Sequence, residues 1–518
     1  MRNTRFSPAI HRRSALRILL CALPLFSGCS ALSPLPINSP GPAIEPDRAP
    51  VIAPVIAPAI APVIGAGSVP RSRLHAAYVV IGENGSAWAR TISPAEVAGE
   101  HNTECPIITV DGAARRMSVR AAAGVIAQRP TASDAAHSRA SVFPILTCEF
   151  SLPEKTASAT VEGIELRLPK PESRRIVVLG DTGCRMKKAD NAWQACLDEQ
   201  AWPFRPLANA AAAFAPDLVI HLGDFHYREN KCPPDVAGCQ GSPWGYGWDS
   251  WDADLFLPGT KLLAAAPWVV ARGNHEECRR AGQGWFRFLD PRPFEETRSC
   301  NEAKNDLIGN FTPPYAVPIS HDLQLIVFDS AYSGNDPLKP SRPRDAFAFN
   351  QYRQQFILVD ALAAKAGVNS IFINHHPILG YSSDRASGVS EGAPAMLSVL
   401  KSLHPLTYYP PTVKLALHGH VHLFEAINFS SNHPATIVSG VGGDETYVNL
   451  PDPFPLDKPP AEGVTLESIT HTNEFGFLVM DKLNGQWQVG AYDQHGMLRT
   501  TCILAGSKLR CDKTGLLK

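Results

Sequence analysis

RIVVLGDTG, residues Arg175–Gly183, reads as a strand buried on both faces that breaks at glycine and sets a carboxylate just past its carboxyl end. The pattern recurs along the chain. LVIHLGDFHY (Leu218–Tyr227) delivers Asp224 and Tyr227, and WVVARGNHE (Trp268–Glu276) delivers Asn274 and His275. IFINHHP (Ile371–Pro377) delivers His375 and His376, and VKLALHGHVH (Val413–His422) delivers His420 and His422. Leu323–Phe328 is another buried-type strand, and the alanine-rich stretch Leu207–Phe214, stopped by Pro216, reads as a helix. Polar groups just beyond the carboxyl ends of apolar strands occupy the usual site position of an α/β sheet. There they sit on loops held by a rigid scaffold.

The groups delivered are carboxylate, amide oxygen, phenolate and imidazole. Two cations about 3.5–4 Å apart need a bridging ligand, flanking ligands and open positions for water and substrate. Asp224 suits the bridge, Asp181 one ion and Asn274 the other. The imidazoles of His375, His420 and His422 suit zinc, iron, nickel or copper better than calcium. Each segment alone is weak evidence. An Asp-Gly pair is usually a turn, a lone Tyr227 is more often a packed aromatic, and His226 reads as a pocket wall or surface group. All five in this order point to a dinuclear metal centre.

The rest of the 518 residues sets the context. Net charge is −1 and the sequence pI about 7.0, so no nucleic-acid partner is expected. Arg2, Arg5, Arg12, Arg13 and Arg17 precede a short apolar run, Ile18–Phe26, too short to span a bilayer. Phe26-Ser27-Gly28-Cys29 resembles a bacterial lipobox, with Cys29 as the lipidated residue and the new N-terminus. The alternative is ordinary cleavage near Ala31. Either way the protein is expected to be exported, and with the lipid to sit membrane-anchored in the bacterial cell envelope, facing the periplasm or exterior. The ten cysteines beyond residue 29 fall into sequential neighbours, which in an exported chain suggests disulfides. Nearest-neighbour pairing is only the simplest connectivity. No pair has the CxxC spacing of a zinc thiolate site.

As a set, GDTG, GDFHY, GNHE, NHHP and GHVH resemble the calcineurin-like metallophosphoesterase superfamily, and most closely its purple acid phosphatase branch. The wider superfamily has a histidine two residues after the first aspartate; here Gly183 stands there, and Tyr227 follows Asp224 at the spacing of that branch's ligand tyrosine. The resemblance covers about residues 174–480 and implies a four-layer αββα sandwich, mixed α/β and α+β in class. It implies one ion on Asp181, Asp224, Tyr227 and His422, and the other on Asp224, Asn274, His375 and His420. The first would be Fe(III), favoured by phenolate, and the second Fe(II), Zn(II) or Mn(II). His375 and His376 adjoin; His375 fits the family better, although Ile371 or Phe372 replaces the valine of its segment. The implied reaction is in-line attack of a metal-activated hydroxide on a small phosphate ester. His275 is the first candidate to protonate the leaving group or bind the phosphoryl group and His376 the second, with Glu276 orienting His275.

The expected organisation is an export signal over 1–28, a Pro/Ala-rich tether over 29–72, a small β-rich domain over 73–170, the catalytic domain over 171–505 and a tail over 506–518. Trp244, Trp248 and Trp251 form either an aromatic wall over the ions or a packed, disulfide-closed loop. Gly388–Gly392 matches the GxSxG esterase pattern but follows loop-like sequence, and Gly440–Gly443 lacks the GxGxxG spacing of a nucleotide site. A phosphomonoesterase scavenging phosphate in the envelope is the expected activity. Its rivals are a phosphodiesterase or phospholipase on the same scaffold, and a non-catalytic envelope binding protein.

Overall fold

Alternate residues of a strand face opposite ways, and in the strand Arg175–Leu179 both faces are apolar. Val177 and Leu179 enter one hydrophobic core, Ile176 and Val178 another. The same division holds at Leu218–His221, where Val219 joins the first core and Leu218 and Ile220 the second. In the computed structural model, which describes residues 73–97, 100–101, 103–129, 137–383 and 389–518, this two-sidedness generates four layers. The expected export signal, Cys29 and the tether lie outside the described residues.

The first core lies between one sheet and the helices Phe204–Ala213, Leu257–Ala265 and Gly282–Phe288. The second core lies between that sheet and a second one, whose strands Leu323–Phe328, Asn369–Asn374 and Val413–His418 contribute Leu325, Val327, Ile371, Ile373, Leu415 and Leu417. A third core covers the outer face of the second sheet with the helices Pro343–Ala363 and Pro394–Leu400. The result is the αββα sandwich expected from the sequence.

Register positions the site. Leu179 pairs with His221 and His221 with Val270, so three parallel strands end level and set Asp181, Asp224 and Asn274 side by side. In the second sheet Ile373 pairs with Leu417, again in parallel, which brings the His375 and His420 loops together.

Residues 73–170 are β-rich as expected, but the boundary drawn at 171 runs through a continuous sheet. The strand Ala76–Ile81 pairs in parallel with Trp268–Val270, and Ala87–Pro94, Ile145–Leu152 and Ser118–Ala121 extend the same 11-stranded sheet. The cause is visible in the sequence: Tyr78 and Val80 fill the first core and Ile81 the second, so this strand is apolar on both faces like its neighbours. A separate 4-stranded sheet, with Ile107–Val110 and Ala159–Val161, closes a small core against strands of the first sheet. The expected tail is also folded. Lys508–Cys511 pairs with Leu498–Ala505 in the first sheet and Gly515–Leu516 with Leu466–Thr472 in the second, burying Leu509 and Leu517.

All five cysteine pairs join as sequential neighbours: Cys105–Cys148, Cys184–Cys196, Cys232–Cys239, Cys278–Cys300 and Cys502–Cys511. Such bonds persist in oxidising compartments, which fits export. Among the described residues no helix is long and apolar enough to cross a membrane. Trp248 and Trp251 are buried in the first core, each stacked edgewise on Phe288 at 5.7 and 5.6 Å, so they pack the fold rather than wall the ions.

Two buried arginines tie the N-terminal strands to the catalytic layer. Arg120 donates to the carbonyls of Phe286, Arg287, Asp290 and Arg292, and its Nη1 reaches Glu149 at 2.7 Å. Arg90 donates to Phe288 O at 2.7 Å and to Asp290 O. The carbonyls of Phe286, Arg287 and Phe288 are orphan acceptors at the end of the helix Gly282–Phe288, and those of Asp290 and Arg292 lie just past it. Removing one partner of a buried pair strands the other, so Arg120→Met is expected to cost about 3–5 kcal/mol. A denaturant midpoint unchanged from wild type would contradict this.

Candidate metal centre

Asp181, Asp224 and His420 adopt left-handed backbone, with φ of 58°, 55° and 69°. For residues with a Cβ such strain costs on the order of 1–3 kcal/mol each and persists only where surroundings impose it. The surroundings are specific. Glu276 accepts the backbone N–H groups of Gly273, Asp224, Phe225 and His226 at 2.9–3.2 Å, pinning the Asp224 loop to the Asn274 loop. Burial, then the Asp224 charge, push its carboxyl up to about 8, and the N–H donors pull the other way. The His420 N–H donates to both oxygens of Asp181, at 3.1 and 3.0 Å. Asp254 accepts from Tyr227 N at 2.9 Å and Cys184 N at 3.1 Å and is itself paired with the buried Arg228 at 2.5 Å.

These loops converge the seven expected ligands into two adjoining groups. On one side the Tyr227 hydroxyl lies 3.0 Å from Asp181 Oδ1, 2.8 Å from Asp224 Oδ2 and 3.0 Å from His422 Nε2. On the other, His375 Nε2 lies 3.0 Å from Asn274 Oδ1 and 3.1 Å from Asp224 Oδ2, and His420 Nδ1 lies 3.0 Å from the same Asn274 oxygen. Asp224, His375 and His420 have ligating atoms all within 4.8 Å of one another. Asp224 faces both groups, as a bridge must.

The donor set fits metal ions. His375 gives its Nδ1 proton to Leu222 O at 2.9 Å and His422 gives its Nδ1 proton to Glu445 O at 2.6 Å. With Nδ1 committed to a carbonyl, each ring aims Nε2 inward at carboxylate and amide oxygens, so that once deprotonated it presents a lone pair where other acceptors already point. Acceptors packed against acceptors in a buried site call for a cation. Tyr227 has one proton for three acceptors, and burial, then Asp181 and Asp224, push its phenol well above the usual range. Only a strong positive charge would ionise it there.

Gly183 explains why tyrosine stands here. A Cβ on it would meet Tyr227 N at 2.7 Å, Phe225 O at 2.9 Å and the Tyr227 ring at 2.9 Å. A side chain at position 183 and the phenol at 227 exclude each other. Gly223, with φ of 101°, is likewise required, since its Cβ would lie 2.7 Å from His375 Nδ1.

His275 and His376 border the ligands. His275 Nε2 lies 3.9 Å from Asp224 Oδ2. Its Nδ1 lies 2.9 Å from Glu229, which Arg280 holds from the other side. This corrects the role expected of Glu276, whose carboxylate is consumed by the backbone clamp; Glu229 orients His275. His376 bonds Ser330 Oγ through Nδ1 at 2.8 Å and lies tilted against the His420 ring, with centroids 4.2 Å apart. His375, not His376, therefore sits with the ligands. His226 is buried beside Tyr246 and Trp251 and joins neither group. Sequence reading missed Glu229, Arg280, Arg228, Asp254 and Ser330. Glu229, two residues past Tyr227, was the one with a positional cue.

Residues 174–424 match the family model described as calcineurin-like phosphoesterase. Over those residues the chain is a calcineurin-like phosphoesterase. No curated protein sequence gives a significant match. Among solved structures this phosphoesterase is similar to purple acid phosphatase PPD1 from yellow lupin (Lupinus luteus) seeds, at 13% identity, over 82% of this chain and 73% of that one, with a TM-score of 0.49. It is similar to PhoD at 11% identity, over 86% of this chain and 94% of that one, with a TM-score of 0.48. The family implies a dinuclear metal centre, and the donor set above accommodates one.

Two outcomes follow for the phosphoesterase. Gly183→Ala is expected to displace Tyr227 and lower the metal content at its side of the site, read by elemental analysis. Metal affinity is expected to rise with pH. Burial disfavours charge on His375, but the adjacent Asp224 outweighs it and pushes the ring up to about 9, so at pH 7 an ion must expel that proton. Calorimetric titration in buffers of different ionisation enthalpy should show proton release at pH 7; none would contradict the assignment.

Proposed function

We propose that this phosphoesterase is a phosphomonoesterase of the purple acid phosphatase type, acting in the cell envelope. The observation carrying the reading is the Gly183–Tyr227 pair: a phenol oxygen within 3.0 Å of Asp181, Asp224 and His422, in space that a side chain at 183 would fill. Asp181, Asp224, Tyr227 and His422 would hold one ion, Fe(III) by its preference for phenolate; Asp224, Asn274, His375 and His420 would hold Fe(II), Zn(II) or Mn(II). When bound, such ions supply an activated water and positive charge opposite the phosphoryl oxygens.

The chain's own residues do the rest. Glu229 fixes one nitrogen of His275 and leaves Nε2 toward the ions. Burial, then Arg280, hold that ring well below its ordinary pKa, so it stays neutral in the free enzyme. The negative charge of a bound phosphate monoester favours protonation at Nε2, beside the leaving oxygen. His376, held by Ser330, is the second group that could store a proton there. A dianionic monoester matches two ions better than a monoanionic diester, which favours monoesters over the phosphodiesterase or phospholipase reading. The five disulfides support export, and a lipid on Cys29 would tether the enzyme to the membrane.

An aryl monophosphate and a bis-aryl phosphate compared across pH should show the monoester turned over at least tenfold faster. A diester preference would overturn the monoesterase reading. The purified enzyme should hold two ions per chain and show a phenolate–Fe(III) absorption that disappears in Tyr227→Phe. A colourless, fully active enzyme would remove the purple acid phosphatase assignment. Cys29→Ser should release the protein from membranes; unchanged membrane association would exclude lipidation as the tether.

A further inference from the structure

One more buried carboxylate reaches the tyrosine side of the site. Asp444 follows Gly442 and Gly443 on the loop after the strand Ala435–Ser439. That loop lies hard against the first ligand segment: a Cβ on Gly443 would meet Thr182 O at 2.6 Å and one on Gly442 would meet the Thr182 side chain at 2.7 Å. The Asp444 N–H donates to Asp181 O at 3.0 Å. Its side chain is fully buried, and Oδ2 lies 3.5 Å from His422 Nε2. Asp181 Oδ1 stands at the same 3.5 Å from that nitrogen. His422 gives its Nδ1 proton to Glu445 O, so in the deprotonated form that holds a metal its Nε2 lone pair is turned to the same space as Asp444 Oδ2. Oxygen and nitrogen lone pairs face each other here as they do among the seven ligands.

Arg185 braces this carboxylate. Its Nε lies 3.0 Å from both oxygens and Nη2 also bonds Oδ2, while its guanidinium lies over the Tyr227 ring at 4.9 Å from the centroid. Arg185 also pairs with Asp190 at 3.1 Å, so Asp444 is not its sole counter-charge. The carboxylate thus faces both the guanidinium and the imidazole nitrogen expected to serve the tyrosine-side ion.

We propose that Asp444, braced by Arg185, is a further carboxylate donor to the ion held by Asp181, Asp224, Tyr227 and His422. The inference rests on the dinuclear reading above. It leaves the tyrosine-side ion with fewer open positions and directs exchangeable water and substrate toward the ion on Asn274, His375 and His420. The guanidinium balances the added negative charge, so the extra donor does not over-compensate a trivalent ion.

The test is metal retention by the purified holoenzyme under chelator challenge, read by elemental analysis and the visible spectrum, in wild type, Asp444→Asn, Arg185→Gln and the double variant, with folding followed by circular dichroism. Asp444→Asn should lose the tyrosine-side ion at about 10–100-fold lower chelator concentration, the usual size of a lost supporting group at a metal. The double variant, which removes both charges and strands neither, should lose it equally. Arg185→Gln, which keeps the carboxylate, should retain it. A double variant with two ions, wild-type chelator sensitivity and an unshifted spectrum would make Asp444 a mere counter-ion and overturn the proposal, leaving the dinuclear reading intact. A wild-type enzyme lacking the tyrosine-side ion would overturn both.

Discussion

Bare acceptor atoms forced together out of water are the constraint on which the structure turns. The Tyr227 oxygen, two carboxylates, an amide oxygen and three imidazole nitrogens crowd within hydrogen-bonding distance, while two of the rings spend their Nδ1 protons on Leu222 O and Glu445 O and leave few to separate the rest. In a low-dielectric interior such an arrangement is costly unless a cation sits among the atoms. The surrounding fold is a means of holding it regardless. Glu276, Asp254 and the Asp181 carboxylate spend their hydrogen-bonding capacity on backbone N–H groups, which fixes loops in left-handed conformations that three ligand residues would not choose. The strain is local and the compensation is local.

Much of this was legible in the sequence because each ligand follows a run of apolar residues that can only be a doubly buried strand. Val177 and Ile176 go to different cores, and a strand with no polar face has one way to sit in a four-layer sandwich. The layers and the convergence of these strand-end side chains could therefore be anticipated from the chain, and the cysteine pairs match the simplest connectivity. The clamps could not. Asp254 lies on a short helical segment with no motif, Arg280 and Ser330 sit in ordinary-looking loops, and their partners come from distant segments. Glu276 misled because adjacency to His275 suggested contact, whereas a 3-10 turn at Asn274–Glu276 points neighbouring side chains apart.

The first sheet runs across the boundary expected at 171 for a related reason. Pro171 and a change of pattern suggested a break, but the edge of Trp268–Val270 offers a row of unpaired backbone groups, and an exposed edge of that kind must be covered. Ala76–Ile81 covers it. Periodicity reports which faces of a strand are apolar and carries no information on which neighbour it will pair with.

The closure of each ligand group is then set by how two sheets dock. Asp181, Asp224, Tyr227 and Asn274 follow strands of the first sheet; His375, His420 and His422 follow strands of the second. A bond such as His375 Nδ1 to Leu222 O crosses between them at the level of the ligands. At the other margin the last residues stitch both sheets together, Lys508–Cys511 in one and Gly515–Leu516 in the other. Side chains packed at crystal-like density between the sheets transmit displacement rather than absorb it. Any change in the shared core that alters the sheet separation therefore alters the distances within each ligand group, and the candidate metal centre reads out the packing of residues far from it in sequence.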